Sequence, residues 1–186
     1  SINPIDYKAR QGLMQGMFQW QFPVTLGWDI AGRIVAVGQD VTNFKVGDAV
    51  FARPDIDPTG RNGSYAEYTV VKADKLAFKP ENITFNQAAA VPLAALTALQ
   101  MLEKLQVKAG HKVLIQAGAG GVGIYAIQIA KLMGTYVATT ASQANHDFVA
   151  SLGADQVIDY HAYQIQDVLS DYDAVFDKIG RAHVWT

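Results

Sequence analysis

One glycine-rich turn constrains this chain more than any other feature. Gly118-Ala119-Gly120-Gly121-Val122-Gly123 has the spacing G-x-G-x-x-G. Alone, that string is common in proteins. Its setting is more specific, because the apolar run Lys112 to Gln116 precedes it and a helix is predicted from Gly121 to Met133, stopped by Gly134. Strand, glycine turn and helix in that order make residues 112–140 the start of a βαβ unit. In such a unit the first glycine permits the tight turn and the second lets the backbone approach phosphate without a Cβ. The third lets the helix pack closely on the strand. Unpaired N–H groups and the dipole at the helix start then favour an anion. All six residues, Gly118, Ala119, Gly120, Gly121, Val122 and Gly123, are therefore expected to cradle a dinucleotide pyrophosphate. The alternative is a turn that merely joins strand to helix.

The end of the next strand bears on which dinucleotide. Sites that prefer NAD carry an Asp or Glu about 20 residues on, which holds the ribose 2′-hydroxyl. Here the corresponding stretch, Val137-Ala138-Thr139-Thr140-Ala141-Ser142-Gln143, contains no acid. A carboxylate would repel a 2′-phosphate, whereas hydroxyls and amides accommodate one. NADP(H) is thus expected over NAD(H), with Ser142 as the phosphate contact and Asn145 and His146 as neighbours. No Arg or Lys follows directly, and Ser142 reads equally as the cap of the next helix.

The rest of the chain falls into two halves. Residues 1–85 read as β-rich, with apolar segments Ile30 to Val37, Ala49 to Phe51 and Ala66 to Val71 between turn signals. The cluster Pro54 to Gly63 is too long for a tight hairpin and is expected to be a mobile loop. Ala88 to Leu105 reads as one helix with Pro92 near its start or kinking it. Beyond the glycine turn, Tyr136–Thr140, Asp155–Ile158 and Ala174–Phe176 read as strands. Asn145–Leu152 and Tyr163–Leu169 read as the helices between them. Such alternation implies a parallel sheet with right-handed crossovers.

Bulk properties narrow the function classes. Of 186 residues, 50% are hydrophobic and 17% charged, with a net charge of −2, so a nucleic-acid or polybasic membrane surface is not expected. No apolar run approaches the ~18 residues of a membrane span. Ser1-Ile2-Asn3-Pro4 lacks the basic flank and apolar core of a signal peptide, and a cytoplasmic location is expected. There is no cysteine, hence neither a disulfide nor a thiolate metal site. His111, His146, His161 and His183 have no ligand spacing and are expected at the surface.

Several ordered motifs together resemble the medium-chain dehydrogenase/reductase superfamily. They include Gly27-Trp28-Asp29-Ile30-Ala31-Gly32, Val46-Gly47-Asp48-Ala49-Val50, Gly63-Ser64-Tyr65-Ala66-Glu67-Tyr68, Leu152-Gly153-Ala154-Asp155 and Tyr172-Asp173-Ala174-Val175-Phe176-Asp177. The opening Asn3-Pro4-Ile5-Asp6-Tyr7-Lys8-Ala9-Arg10-Gln11-Gly12 resembles its zinc-free quinone oxidoreductase and enone (2-alkenal) reductase branch. The resemblance implies an α/β fold class. It implies a partial, β-rich GroES-like domain over residues 1–90, expected to lack its first strands and its C-terminal return. It also implies a partial, doubly wound parallel-sheet Rossmann domain over residues 91–177, with its first four strands expected. Residues 178–186 resemble a translated sequencing-adaptor read and are expected to be a non-native tail.

The resemblance also implies a chemistry. It places Asn3, Trp28 and Leu93 where zinc relatives hold a catalytic metal, and none of these is a usual zinc ligand. A zinc-free, NADPH-dependent transfer of hydride to a quinone or an α,β-unsaturated carbonyl is then expected, with no metal. Without zinc, a cation or hydrogen-bond donor must stabilise the developing oxyanion. Lys8 is the candidate for that role, with a solvated surface lysine as the alternative. Asn3 and Tyr7 are candidates to orient substrate or water. Asp6 and Asp29 are expected to pair with Lys8 or Arg10. Thr97, on the Pro92 helix, either meets the nicotinamide or packs in the core. Tyr65 and Tyr68 are expected to be packing residues. The alternatives are a zinc-free alcohol dehydrogenase, an enoyl reductase module, or a non-catalytic NADPH-binding scaffold. The partner is a small carbonyl or quinone substrate, with no nucleic acid and no membrane, and a homodimer is the family's frequent assembly.

Overall fold

The computed structural model describes residues 1–16, 20–55, 57 and 59–177. The expected tail 178–186 lies outside them. The chain forms two compact units, Ser1–Leu93 and Ala94 onward, with the boundary inside one helix.

In the first unit, β1 (Ile30–Arg33), β2 (Ala49–Ala52) and β3 (Leu76–Phe78) form an antiparallel sheet in the order β1-β2-β3. Trp28, Phe44, Val50, Ala52 and Ala88 are buried in this unit, and the Phe44 and Phe78 rings lie 4.9 Å apart. The first expected strand ends at Arg33 rather than Val37, and residues 66–71 make no ladder at all. A groove of about 770 Å³ accounts for both. Val35, Val37, Val41, Val70 and Val71 are among its lining residues. Alternating side chains give a segment the pattern of a strand, but the ladder needs a neighbouring backbone. Where that neighbour is replaced by open space, no strand forms.

This unit also contains a helix the β-rich reading did not anticipate, α1 (Pro4–Arg10). Its start is set by Asn3 in extended conformation, Pro4 in the first turn, and the Asn3 N–H donating to Asp6 Oδ2 at 2.6 Å. The expected single helix from Ala88 is instead two. The first, α2 (Phe85–Ala89), is capped by Thr84, whose hydroxyl accepts the Gln87 N–H while Gln87 Oε1 accepts the Thr84 N–H. The second, α3 (Pro92–Lys104), starts at Pro92, where the missing N–H costs nothing.

The second unit holds a parallel sheet. Its elements are β4 (Lys112–Ile115), α4 (Gly121–Leu132), β5 (Tyr136–Ala141), α5 (His146–Ser151), β6 (Gln156–Asp159), α6 (Ile165–Val168) and β7 (Ala174–Phe176). The strand order is β6-β5-β4-β7. The chain therefore steps outward from β4 to β6, then returns to β4's other edge. In open α/β sheets, ligands bind outside the carboxyl ends of the strands at such a reversal. One face buries Val113, Ile115, Val137 and Ala141 against Ala126, Ile127 and Ala130 of α4 and Ala98 and Leu102 of α3. The other face buries Leu114, Ala138 and Ile158. This alternation is what a strand covered on both sides requires.

Candidate functional site

The glycine turn lies at the carboxyl end of β4. Gly120 is the N-cap of α4, in extended conformation, so the first amides of that helix have no intrahelical acceptor. Ala117 is the residue in the left-handed region, with φ of 54°, and Gly118 is not. The first glycine is needed for proximity instead of for its dihedrals. A Cβ on Gly118 would strike Thr139 Oγ1 and come within 2.9 Å of Ile127 Cδ1. A Cβ on Gly123 would strike Ala117 O and lie 2.8 Å from Gly118 Cα, so the third glycine packs the helix start onto the turn, where close packing on the strand was expected. A Cβ on Gly121 would meet nothing within 4 Å, leaving open space above the helix start. Amides without intrahelical partners, a helix dipole and an open approach fit a pyrophosphate.

Beside the turn, β5 runs parallel to β4 with Ile115 opposite Thr139. Thr140 Oγ1 accepts the Ala117 N–H at 2.9 Å, and Thr140 O accepts the Gly118 N–H at 3.0 Å. Thr139 Oγ1 donates to Ile115 O at 2.7 Å. Neither threonine was singled out from the sequence, where two β-branched residues read simply as strand propensity. Just past β5, Asn145 Nδ2 donates to Ser142 Oγ at 3.1 Å, joining two of the expected ribose-end residues. Ser142 occupies a helix N-cap position, but its hydroxyl makes no capping bond. His146 opens α5 and His111 precedes β4. Both are half-buried, unlike the expected surface placement, and each has one ring nitrogen enclosed. Thr97 is exposed on α3.

The first unit carries a separate polar cluster. Asp29, 4% exposed, accepts Asn3 Nδ2 at 2.7 Å, Ser1 Oγ at 2.8 Å and the Leu93 N–H at 2.7 Å. Asp6, 2% exposed, accepts the Asn3 N–H. Among the described residues neither carboxylate forms an ion pair, so the expected pairing with Lys8 or Arg10 does not occur. Both cations stand on exposed positions of α1, while Asp29 is satisfied by neutral donors from residues 1, 3 and 93.

Tyr65 reaches the same cluster, contrary to its reading as packing alone. Close backbone pairing delivers it: Tyr65 N–H donates to Leu26 O at 2.8 Å and Ser64 N–H to Gly27 O at 3.2 Å. Gly27, with φ of 107°, leaves no room for a side chain against Ser64 and Tyr65. Burial pushes the Tyr65 hydroxyl from 10.0 up to about 12, and its approach to Asp6 and the charges of Asp6 and Asp29 add to this. Asp6 Oδ1 is enclosed and has no hydrogen-bond partner among the described residues.

The cluster gathers Asn3 and Leu93 on one carboxylate, with Trp28 buried next to it in sequence. Lys8 and Tyr7 are exposed on α1, and Tyr7 retains 43% of its surface. Among the described residues no group of three or more His, Asp or Glu side chains could hold a metal. The expected mobile loop is organised in part by Asp57, which accepts the N–H groups of Thr59, Arg61 and Asn62 and the Thr59 hydroxyl. The Thr59 bonds come first in holding its carboxyl down from 3.8 to about 2. Ile56 and Pro58 of that loop lie outside the described residues.

Comparison with known proteins places this geometry. Residues 1–81 match the Alcohol dehydrogenase GroES-like domain, and residues 121–186 match the Zinc-binding dehydrogenase family. The chain belongs to the medium-chain dehydrogenase/reductase superfamily. Within the superfamily it is 43% identical over 185 residues to an NADPH-dependent alkenal/one oxidoreductase, chloroplastic, of Arabidopsis thaliana, covering 97% of this chain and 48% of that protein. A mitochondrial NAD(P)H oxidoreductase of Homo sapiens is 34% identical over 200 residues, with 97% and 50% covered. The solved quinone oxidoreductase of Coxiella burnetii superposes with a TM-score of 0.85 at 43% identity, covering 97% of this chain and 57% of that one. The chain thus spans about half the length of the curated relatives it matches.

The superfamily comparison confirms the GroES-like and Rossmann-type fold classes. It overturns the cytoplasmic expectation, because these relatives are named as chloroplastic and mitochondrial and so point to an organelle. That expectation rested on the lack of a signal-peptide pattern, of a membrane-span-length run and of cysteine, none of which distinguishes the cytoplasm from an organelle interior. Among the described residues no helix is long and apolar enough to cross a membrane.

Proposed function

We propose that this chain is part of an NADPH-dependent, zinc-independent oxidoreductase that delivers hydride to a quinone or an α,β-unsaturated carbonyl. The observation that carries this reading is the glycine turn at the strand-order reversal, with open space at Gly121 and the acid-free pair Ser142 and Asn145 beyond β5. When bound, the nicotinamide supplies the hydride. The turn's amides hold the pyrophosphate, and Ser142 and Asn145 contact the 2′-phosphate. The NADPH dependence and alkenal/one chemistry in the name of the Arabidopsis relative support the reading.

Zinc independence is supported by the donor set. Asn3 and Leu93 point donors, not acceptors, at Asp29, and neither residue nor Trp28 offers a usual zinc ligand. In this proposal Lys8 holds the carbonyl oxygen as negative charge develops there. Asn3, whose amide and N–H are both turned inward, fixes the start of α1 and thereby the helix bearing Tyr7 and Lys8.

The test is NADPH oxidation by the intact protein against a panel of quinones and enones. Lys8→Ala is expected to lower turnover about 100-fold, the scale of losing one oxyanion donor, with NADPH affinity unchanged. Unchanged turnover in Lys8→Ala removes Lys8 from the chemistry. NADPH binding with no turnover on any quinone or enone assigns the fold to a nucleotide-binding scaffold.

A further inference from the structure

The glycine turn is held from one side by a single residue. At the end of β4, Gln116 still follows the sheet, its N–H donating to Phe176 O at 3.0 Å. The next residue, Ala117, swings into the left-handed region, which a side-chain-bearing residue occupies at a cost. Such a conformation persists only where its surroundings over-determine it. Two of the amides that define the change of direction, those of Ala117 and Gly118, end on Thr140: one on its hydroxyl at 2.9 Å, the other on its carbonyl at 3.0 Å. Ala117 O closes the turn by accepting the Gly120 N–H at 3.0 Å. Thr140 is itself 2% exposed and fixed within β5. The carbonyl bond would survive any substitution, but the hydroxyl bond depends on this side chain.

We propose that Thr140 is a positioning residue of the dinucleotide site. Its hydroxyl locks Ala117 in the left-handed conformation and so aims the amides at the start of α4 toward the pyrophosphate. Thr140 acts through the turn and does not touch the cofactor. The proposal rests on the NADP(H) reading above. It adds a determinant that no glycine fingerprint contains, located on the neighbouring strand 22 residues beyond Gly118.

Thr140→Val keeps the side-chain shape and strand propensity but removes the acceptor, whereas Thr140→Ser keeps the acceptor. Two readouts on the intact protein separate the possibilities: NADPH affinity by nicotinamide fluorescence, and hydrogen exchange of the Ala117 amide by NMR. Thr140→Val is expected to weaken NADPH binding about tenfold, equivalent to ~1.4 kcal/mol, and to speed Ala117 exchange by a similar factor. Thr140→Ser is expected to stay within about twofold of wild type on both. Wild-type affinity in Thr140→Val, or equal losses in Thr140→Val and Thr140→Ser, would overturn the proposal. Faster Ala117 exchange at unchanged affinity overturns it too, since the lock would then not serve binding. If wild-type protein binds no NADPH, the cofactor reading fails and the positioning role for binding is overturned with it. The exchange comparison still reports whether the hydroxyl locks the turn.

Discussion

At the scale of single residues, the four turn glycines are not equivalent, and the difference between Gly118 and Gly121 is open to measurement. Gly118 is pressed against Thr139 and Ile127, while Gly121 faces open space. Gly118→Ala is therefore expected to cost about 1–3 kcal/mol, the usual penalty for forcing extra volume into a packed site. Gly121→Ala is expected to change stability by less than about 0.5 kcal/mol, as surface substitutions do. Urea denaturation of both variants decides the matter, and equal losses would refute the packing assignment. The six-residue turn was legible in the sequence because glycine spacing between an apolar run and a helix is a local signal. The roles within it were less so. Left-handed geometry falls on Ala117, and the bonds that hold it come from Thr140, a partner visible only once β4 and β5 pair. Asp29 shows the same limit, since its donors arrive from positions 1, 3 and 93.

At the scale of elements, local start signals decided more than hydrophobic period did. Asn3, Pro4 and Asp6 together begin α1, yet that helix was hidden by reading the whole first half as β-rich. Thr84 and Gln87 form a reciprocal cap that begins α2, and Pro92 begins α3, where apolar content alone suggested one helix. Thr84→Ala is expected to cost about 1 kcal/mol, the typical loss for an N-cap hydroxyl. Thermal or urea unfolding reads this directly, and an unshifted midpoint would show that α2 does not depend on its cap. The parallel strands were legible to within a residue or two, most clearly β4, whose Val113, Leu114 and Ile115 are buried and read as a continuous apolar run. Residues 66–71 were not, because their alternation is real but faces a groove in place of a strand.

At the scale of the whole molecule, the two units carry two separable parts of one proposed chemistry. The first holds Lys8 on a helix anchored through Asn3 to buried carboxylates. The second holds the glycine turn at a strand-order reversal, flanked by a hydroxyl and an amide where NAD-preferring sites carry an acid. The central claim is that this second arrangement selects NADP(H). A paired fluorescence titration of the protein with NADPH and NADH tests it most directly. The account predicts NADPH bound at least about tenfold more tightly, a preference of ~1.4 kcal/mol or more. Equal or tighter binding of NADH, or no binding of either, would contradict it.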